Sequence, residues 1–215
     1  MPMSTELPGH AKDWTLAQYL ARLASDSPTP GGGSVAALVS ALAAGLGCMV
    51  AAFTVGREKY AAVEEEVRTI LDALDAETRA LLDLVQADMD AYSGFRAAYS
   101  KPKDDPSRPQ AIQEALKASL AVPMAVLESS LRVARLLPEL FEKGNPNLVS
   151  DVGCAAALLE GAATAAYMNV AVNLPFISDT DFAARIEAQG ESLLAEIRQI
   201  CRRVAEDTLA RVRRA

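Results

Sequence analysis

Residues 29–56 read TPGGGSVAALVSALAAGLGCMVAAFTVG, and no charged side chain occurs between Ser27 and Gly56. The run is long enough to cross a bilayer. It is built from Ala, Gly and Ser rather than Leu, Ile and Phe, however, and small residues let neighbouring backbones approach closely. A helix apolar on every side is otherwise a helix surrounded by protein. The stretch therefore reads as the central helix of a bundle, starting near Ser34 and ending near Val55. The glycines in front of it cost backbone entropy and mark a close approach to the main chain. A linker, a tight helix contact and a ligand loop at a helix start are the open readings.

A second run, Val152 to Ile177, carries Glu160 as its only charge and the amides Asn169 and Asn173. Its helix is expected from Ser150 as N-cap to about Leu174. Around these two the pattern is amphipathic helix throughout. Thr15 and Gln18 form a capping box for a short helix that presents Leu16, Tyr19, Leu20 and Leu23. A long helix runs from about Lys59 to Tyr99, another from Gln110 to Phe141 with kinks expected at Pro123 and Pro138, and a last one starts at Ser178 or Asp179. No alternating β-branched run survives. The expected fold is all-α: two central small-residue helices jacketed by long amphipathic ones, with residues 1–13 as a polar leader and 14–215 as one helical domain. Two such apolar helices are hard to hide in one small bundle, which points to a homo-oligomer.

Composition narrows the function. The 215 residues carry a formal charge of −7 and only 5% aromatics, so a nucleic-acid surface is not expected. The one histidine, His10, lies in the leader, which leaves His triads and His-ligated metal sites almost no material. Cys48, Cys154 and Cys201 are widely spaced, and the first two lie in small-residue runs where a thiol acts as a small hydrophobe. A reduced, cytoplasmic protein without a signal peptide or membrane span is expected. Chemistry falls to Asp, Glu, Lys, Tyr, Asn or Cys.

Three breaks in the pattern single out residues. Val67, Leu71, Leu74, Thr78, Leu81, Val85, Tyr92, Phe95 and Tyr99 form one stripe of the long helix, and Asp88 falls within it. A carboxylate on a buried face must be paired, hydrogen-bonded or protonated, which makes it a candidate acid/base group. Capping a neighbouring helix or bridging protomers is the structural alternative. Asp90 points elsewhere, as a solvated charge. On the second apolar helix Asp151, Asn169 and Asn173 lie in one line, able to read a ligand ring or to hold two helices together. Asn145 and Asn147 in "GNPN" suit a plain turn. Gly31, Gly32, Gly33 and Ser34 leave bare N–H groups at a helix start, where an anion or polar ligand can bind; no Gly-Lys-Ser/Thr follows, so this is not a nucleotide loop. Arg57 and Lys59 lie at a helix end and either meet an acidic ligand or stay solvated.

Taken together, "PGGGSVAALVSALAAGLGCMVAAFTVGREKY", "DMDAYSGF", the Pro123 helix and "GNPNLVSDVGCAAALLEGAATAAYMNVAVNL" resemble the cyclodeaminase domain of formiminotransferase-cyclodeaminase and its free-standing bacterial relatives, the methenyltetrahydrofolate cyclohydrolases. The resemblance covers the chain from Trp14 onward. It implies an all-α homodimer acting on a tetrahydrofolate substrate, without metal or prosthetic group. Asp88 falls on the family's catalytic aspartate. Gly31, Gly32, Gly33 and Ser34 fall on its glycine motif, and Asn145, Asp151, Asn169 and Asn173 on its polar turn and helix. Tyr92, one turn beyond Asp88, joins the substrate-binding set, and Arg57 or Lys59 would hold the glutamate carboxylates of the folate. Leu148 and Cys154 depart from the family pattern. The alternative is a non-catalytic helical dimer that binds a small acidic ligand.

Overall fold

The computed structural model describes residues 9–214, so all but the last five residues of the expected leader lie outside the described part. Six α-helices follow in order: α1 (Leu16–Leu23), α2 (Gly32–Ala52), α3 (Glu64–Tyr99), α4 (Arg108–Lys143), α5 (Val149–Ala171) and α6 (Thr180–Val212), with short 3-10 turns between them. No strand occurs among the described residues.

The boundaries follow from local chemistry. Thr15 closes α1 with the expected capping box: its hydroxyl accepts from the Gln18 N–H at 3.2 Å and Gln18 Oε1 accepts from the Thr15 N–H at 2.8 Å. Asp179 caps α6 by accepting from the Phe182 N–H at 3.0 Å. Pro123 and Pro138 both lie inside α4, which continues as helix through them. Helix α5 starts one residue before Ser150, with Leu148 at the cap position, because Asn145 uses its side chain on the 3-10 turn ahead of it.

Helix α2 starts at Gly32, two residues earlier than its sequence suggests, with Gly31 as an N-cap that has no side chain to offer. The missing local cap is supplied from another helix, and that substitution builds the site described below.

Helices α2 and α5 pack against each other; α3 and α4 cover α2, while α4 and α6 cover α5. The core is aliphatic and small: Ala37, Ala43, Ala44, Ala155, Ala163 and Ala166 are fully buried beside Leu74, Leu81, Leu127 and Ile197. Gly47 shows why small residues are needed here, since a Cβ would come within 2.8 Å of Leu74 Cδ1. Burial of the two central helices is one-sided, however. Leu42 on α2 and Phe53 at its C-cap, and Leu158 and Met168 on α5 and Val172 at its C-cap, are exposed, which leaves an open apolar side on each helix. By length and composition Gly32–Ala52 and Pro146–Phe176 could cross a membrane, but 50% and 44% of their apolar windows are already inside protein.

The open face corrects one expectation. Cys154 is exposed, because it lies on the uncovered side of α5, while Cys48 is half-buried and Cys201 is the thiol held in the core. Burial pushes the Cys201 thiol up to about 12, so it stays protonated and packs as a hydrophobe. Tyr99, the last residue of the α3 stripe, is also exposed and lies under the Arg108 guanidinium.

Candidate active site

Asp88 reaches across from α3 to the first turn of α2. Its Oδ2 accepts from the Ser34 backbone N–H at 2.9 Å, so the carboxylate serves as the cap that Gly31 lacks. The approach requires glycine at position 33: a Cβ there would lie 2.1 Å from Asp88 Oδ1 and 2.8 Å from its Cγ. Two readings that looked like alternatives in the sequence, helix cap and reactive carboxylate, are therefore compatible in one residue. Burial pushes the Asp88 carboxyl above its ordinary range, and the Ser34 N–H bond pulls it back only partly. With Oδ2 engaged, Oδ1 is the oxygen left to exchange a proton.

The Ser34 side chain fastens the same turn. Its hydroxyl is fully buried and donates to the Val85 carbonyl at 3.1 Å, one turn before Asp88 on α3.

A cavity of about 270 Å³ opens beside the carboxylate. Its walls come from the turn before α2 (Pro28, Thr29, Gly31) and from Gly32 and Gly33. Ala91, Tyr92 and Phe95 of α3, Ser119 and Pro123 of α4, Asn169 of α5 and Asn173 just past its end complete it. Asn169 and Asn173 each donate an amide N–H to a carbonyl four residues back, Ala165 and Asn169, at 2.8 and 3.0 Å. That fixes both amide planes and leaves their oxygens to a ligand's donors. Gly32 lies close enough to Asn169 that a Cβ would meet its Nδ2 at 3.3 Å. The cavity can thus hold a flat polar ring between an aromatic wall and bare glycine backbone, with one carboxylate at its edge.

The chain gathers Gly31, Gly32, Gly33, Ser34, Asp88, Tyr92, Asn169 and Asn173 at one end of the bundle. It does not bring Arg57, Lys59, Asn145 or Asp151 to them. Arg57 and Lys59 follow the far end of α2, about 30 Å away at ~1.5 Å per residue. Asp151 lies in the first turn of α5, five turns from Asn169. Asn145 instead organises that far end, accepting from the Tyr60 hydroxyl at 3.0 Å and donating its N–H to Thr54 Oγ1 at 2.9 Å. The sequence leaves Arg57 and Lys59 open between ligand contacts and solvated cations, and only the family resemblance gives Asn145 and Asp151 ligand roles. Pro28, Thr29 and Ser119 were not singled out, and Phe95 and Pro123 read only as a stripe residue and a helix kink; a polar Ser119 one turn before Pro123 on α4 was the available signal.

A larger groove of about 760 Å³ runs between α4 and α6, rimmed by Glu142, Glu196 and Asp207 against Arg203. Its excess of carboxylates suits an anionic ligand poorly. Among the described residues no three His, Cys, Asp or Glu side chains gather to hold a metal ion.

Comparison with known proteins gives one consistent answer. The formiminotransferase-cyclodeaminase family profile matches residues 15–192. A methenyltetrahydrofolate cyclohydrolase of Methylorubrum extorquens is 35% identical over 202 residues, which are 92% of this chain and 97% of that one. The formimidoyltransferase-cyclodeaminase of Sus scrofa is 34% identical over 84% of this chain, which spans only 34% of that longer protein. The crystal structure of formiminotetrahydrofolate cyclodeaminase from Thermotoga maritima superposes with a TM-score of 0.87 at 33% identity, covering 94% of this chain and 98% of its own.

Proposed function

The chain belongs to the formiminotransferase-cyclodeaminase family, and from that premise we propose that it works on the one-carbon unit between N5 and N10 of tetrahydrofolate. The reaction is methenyltetrahydrofolate cyclohydrolysis, formiminotetrahydrofolate cyclodeamination, or both. The observation that carries the proposal is the Asp88 carboxylate, half-buried on the glycine-walled cavity with its proton affinity raised.

Both reactions pass through one tetrahedral carbon. In cyclodeamination N10 attacks the formimino carbon, and the adduct expels ammonia to leave the methenyl bridge. In cyclohydrolysis water attacks the methenyl carbon, and the adduct opens at N5 to the 10-formyl product. Each requires a proton taken from the attacking N–H or O–H and one given to the leaving nitrogen. Asp88 Oδ1 can do both in turn, and its negative charge favours the cationic methenyl carbon. Acid–base help of this kind contributes roughly 10²–10⁴-fold. The amide oxygens of Asn169 and Asn173 suit the ring donors of a pterin, and Tyr92 and Phe95 suit its faces. A cavity of about 270 Å³ takes the ring and the one-carbon unit, while the aminobenzoyl-glutamate tail lies outside it.

An acidic-ligand binder without catalysis gains no support, because neither lysine nor arginine lines the cavity. The test is direct: purified protein is added to 5,10-methenyltetrahydrofolate and its absorbance followed with and without a chelator, then to the formimino compound with an ammonia readout. Acceleration of one or both, chelator-insensitive, is expected. Rates equal to buffer in both assays would end the proposal.

The same proposal includes a homodimer in the cytoplasm, paired through the open face of α2 and α5. A two-fold pair is isologous, and an antiparallel pairing of α2 helices would carry the far end with Arg57 and Lys59 towards the partner's cavity. Wild-type protein should sediment as a dimer, and Leu42→Glu combined with Met168→Glu should give a monomer of unchanged helix content. A monomeric wild type at micromolar concentration would remove this face as an interface.

A further inference from the structure

Helix α1 is hydrogen-bonded to the head of α2 through the Tyr19 side chain. Tyr19 is its only buried residue, at 6% exposure, while Leu16 and Leu20 stand 74% and 60% exposed. The Tyr19 hydroxyl lies 2.9 Å from Ser34 Oγ. The Ser34 hydroxyl spends its one proton on the Val85 carbonyl, so the phenol is the donor in this pair. The result is a line of hydrogen bonds across three helices: Tyr19 O–H to Ser34 Oγ, Ser34 O–H to Val85 O, and the Ser34 N–H to Asp88 Oδ2. Packing alone would be served by phenylalanine or leucine; a buried hydroxyl is retained at a cost unless it is bonded. The segment in front of α1 is tied to α3 as well, through the Ala11 N–H to Gln86 Oε1 at 2.9 Å.

We propose that Tyr19 is a positioning residue for Asp88: its hydroxyl locks the first turn of α2 against α3, keeping the Ser34 N–H on the carboxylate. This rests on the reading of Asp88 as the acid/base group. The groups facing Asp88 are Tyr19 from α1, Ser34 from α2, Tyr92 on its own helix, Ser119 from α4, Asn169 from α5 and Asn173 just past it. Burial pushes the Tyr19 phenol above its ordinary range, so it acts here as a neutral donor, and the Ser34 N–H is the one contact that opposes burial at the Asp88 carboxyl.

The test is Tyr19→Phe, with Leu23→Ala as a control that thins the packing of α1 without touching the hydroxyl. The Asp88 carboxyl carbon is titrated by NMR in free enzyme, a readout that needs no substrate. Loosening the Ser34 N–H removes a bond that favours the charged form, so the midpoint in Tyr19→Phe should rise by about half to one pH unit. The matching limb of the kcat profile should move with it, and kcat at neutral pH should fall roughly two- to tenfold, with KM little changed. Leu23→Ala should lower the melting temperature and leave the Asp88 midpoint where it is in wild type. An unmoved midpoint in Tyr19→Phe, or an equal movement in Leu23→Ala, would overturn the role of Tyr19. Absence of turnover in wild type would instead overturn the catalytic reading, with the titration still deciding the link between the two residues.

Discussion

Asp88→Asn is expected to lower kcat by roughly 10²–10⁴-fold while folate affinity stays within a few-fold. Asparagine keeps the size of the side chain, and its amide oxygen can still accept from the Ser34 N–H that Asp88 Oδ2 accepts at 2.9 Å. The cap, the cavity wall and the approach to Gly33 all persist; only the exchangeable proton is gone. Stability at neutral pH should hold or rise, and the sign follows from linkage. Burial raises the folded-state affinity of Asp88 for its proton above that of the unfolded chain. The folded state then binds more protons than the unfolded state across the interval between the two values. This group's contribution to stability is fully present below the unfolded value and is lost as pH rises through the folded one. Once ionised, the native carboxylate is a partly desolvated charge that asparagine lacks. Melting curves and steady-state kinetics on the same preparation check both halves. A variant retaining wild-type kcat would take Asp88 out of the chemistry; one that loses folate binding as well would make it a binding residue.

Much of this arrangement is legible in the sequence, and the part that is not has a physical reason. The two small-residue apolar helices, the capping box at Thr15 and the Asp179 cap are local signals, set by residues a few positions apart. Asp88 is legible because a carboxylate breaks the period of an apolar stripe, and a stripe is also local. What it does there is not, since the Ser34 N–H it accepts from is 54 residues away. The start of α2 illustrates the same limit: with no capping side chain at Gly31 the helix looks as if it should begin at Ser34, and only a carboxylate arriving from α3 extends it to Gly32. Tyr19 reads as one more residue of an apolar face until its hydroxyl finds Ser34. Arg57, Lys59, Asn145 and Asp151 sit within one chain at the opposite end of the bundle from Asp88; which cavity of an assembly they approach is set by quaternary packing, which no local pattern encodes.

Gly33→Ala is expected to be nearly as damaging to turnover as Asp88→Asn, with little change in thermal stability. The added Cβ would stand 2.1 Å from Asp88 Oδ1, 2.8 Å from Cγ and 3.1 Å from Oδ2, so the whole carboxyl group is in the way. Asp88 has no length to bend aside while keeping its bond to the Ser34 N–H. It must rotate off the helix end, or α2 must slide away from α3, where Ala43, Ala44, Leu74 and Leu81 are packed without any exposure. Rotation is the cheaper response. Losing the cap costs about 0.5–2 kcal/mol, while alanine in place of glycine inside a helix returns roughly 0.8–1 kcal/mol, so the two nearly cancel in the melting temperature. In the kinetics nothing compensates: the carboxylate is no longer beside the cavity, and kcat should fall by about 10²-fold or more. Gly32→Ala is the internal contrast, since its Cβ meets only Asn169 Nδ2, at 3.3 Å, and should trim folate affinity with modest effect on kcat. Because Gly33 acts through Asp88, the two substitutions must not add. In the Asp88→Asn background, Gly33→Ala should lower kcat little further, a large coupling between residues in contact. Full additivity, or a Gly33→Ala enzyme turning over at the wild-type rate, would mean that the carboxylate does not work from the position it occupies at the head of α2.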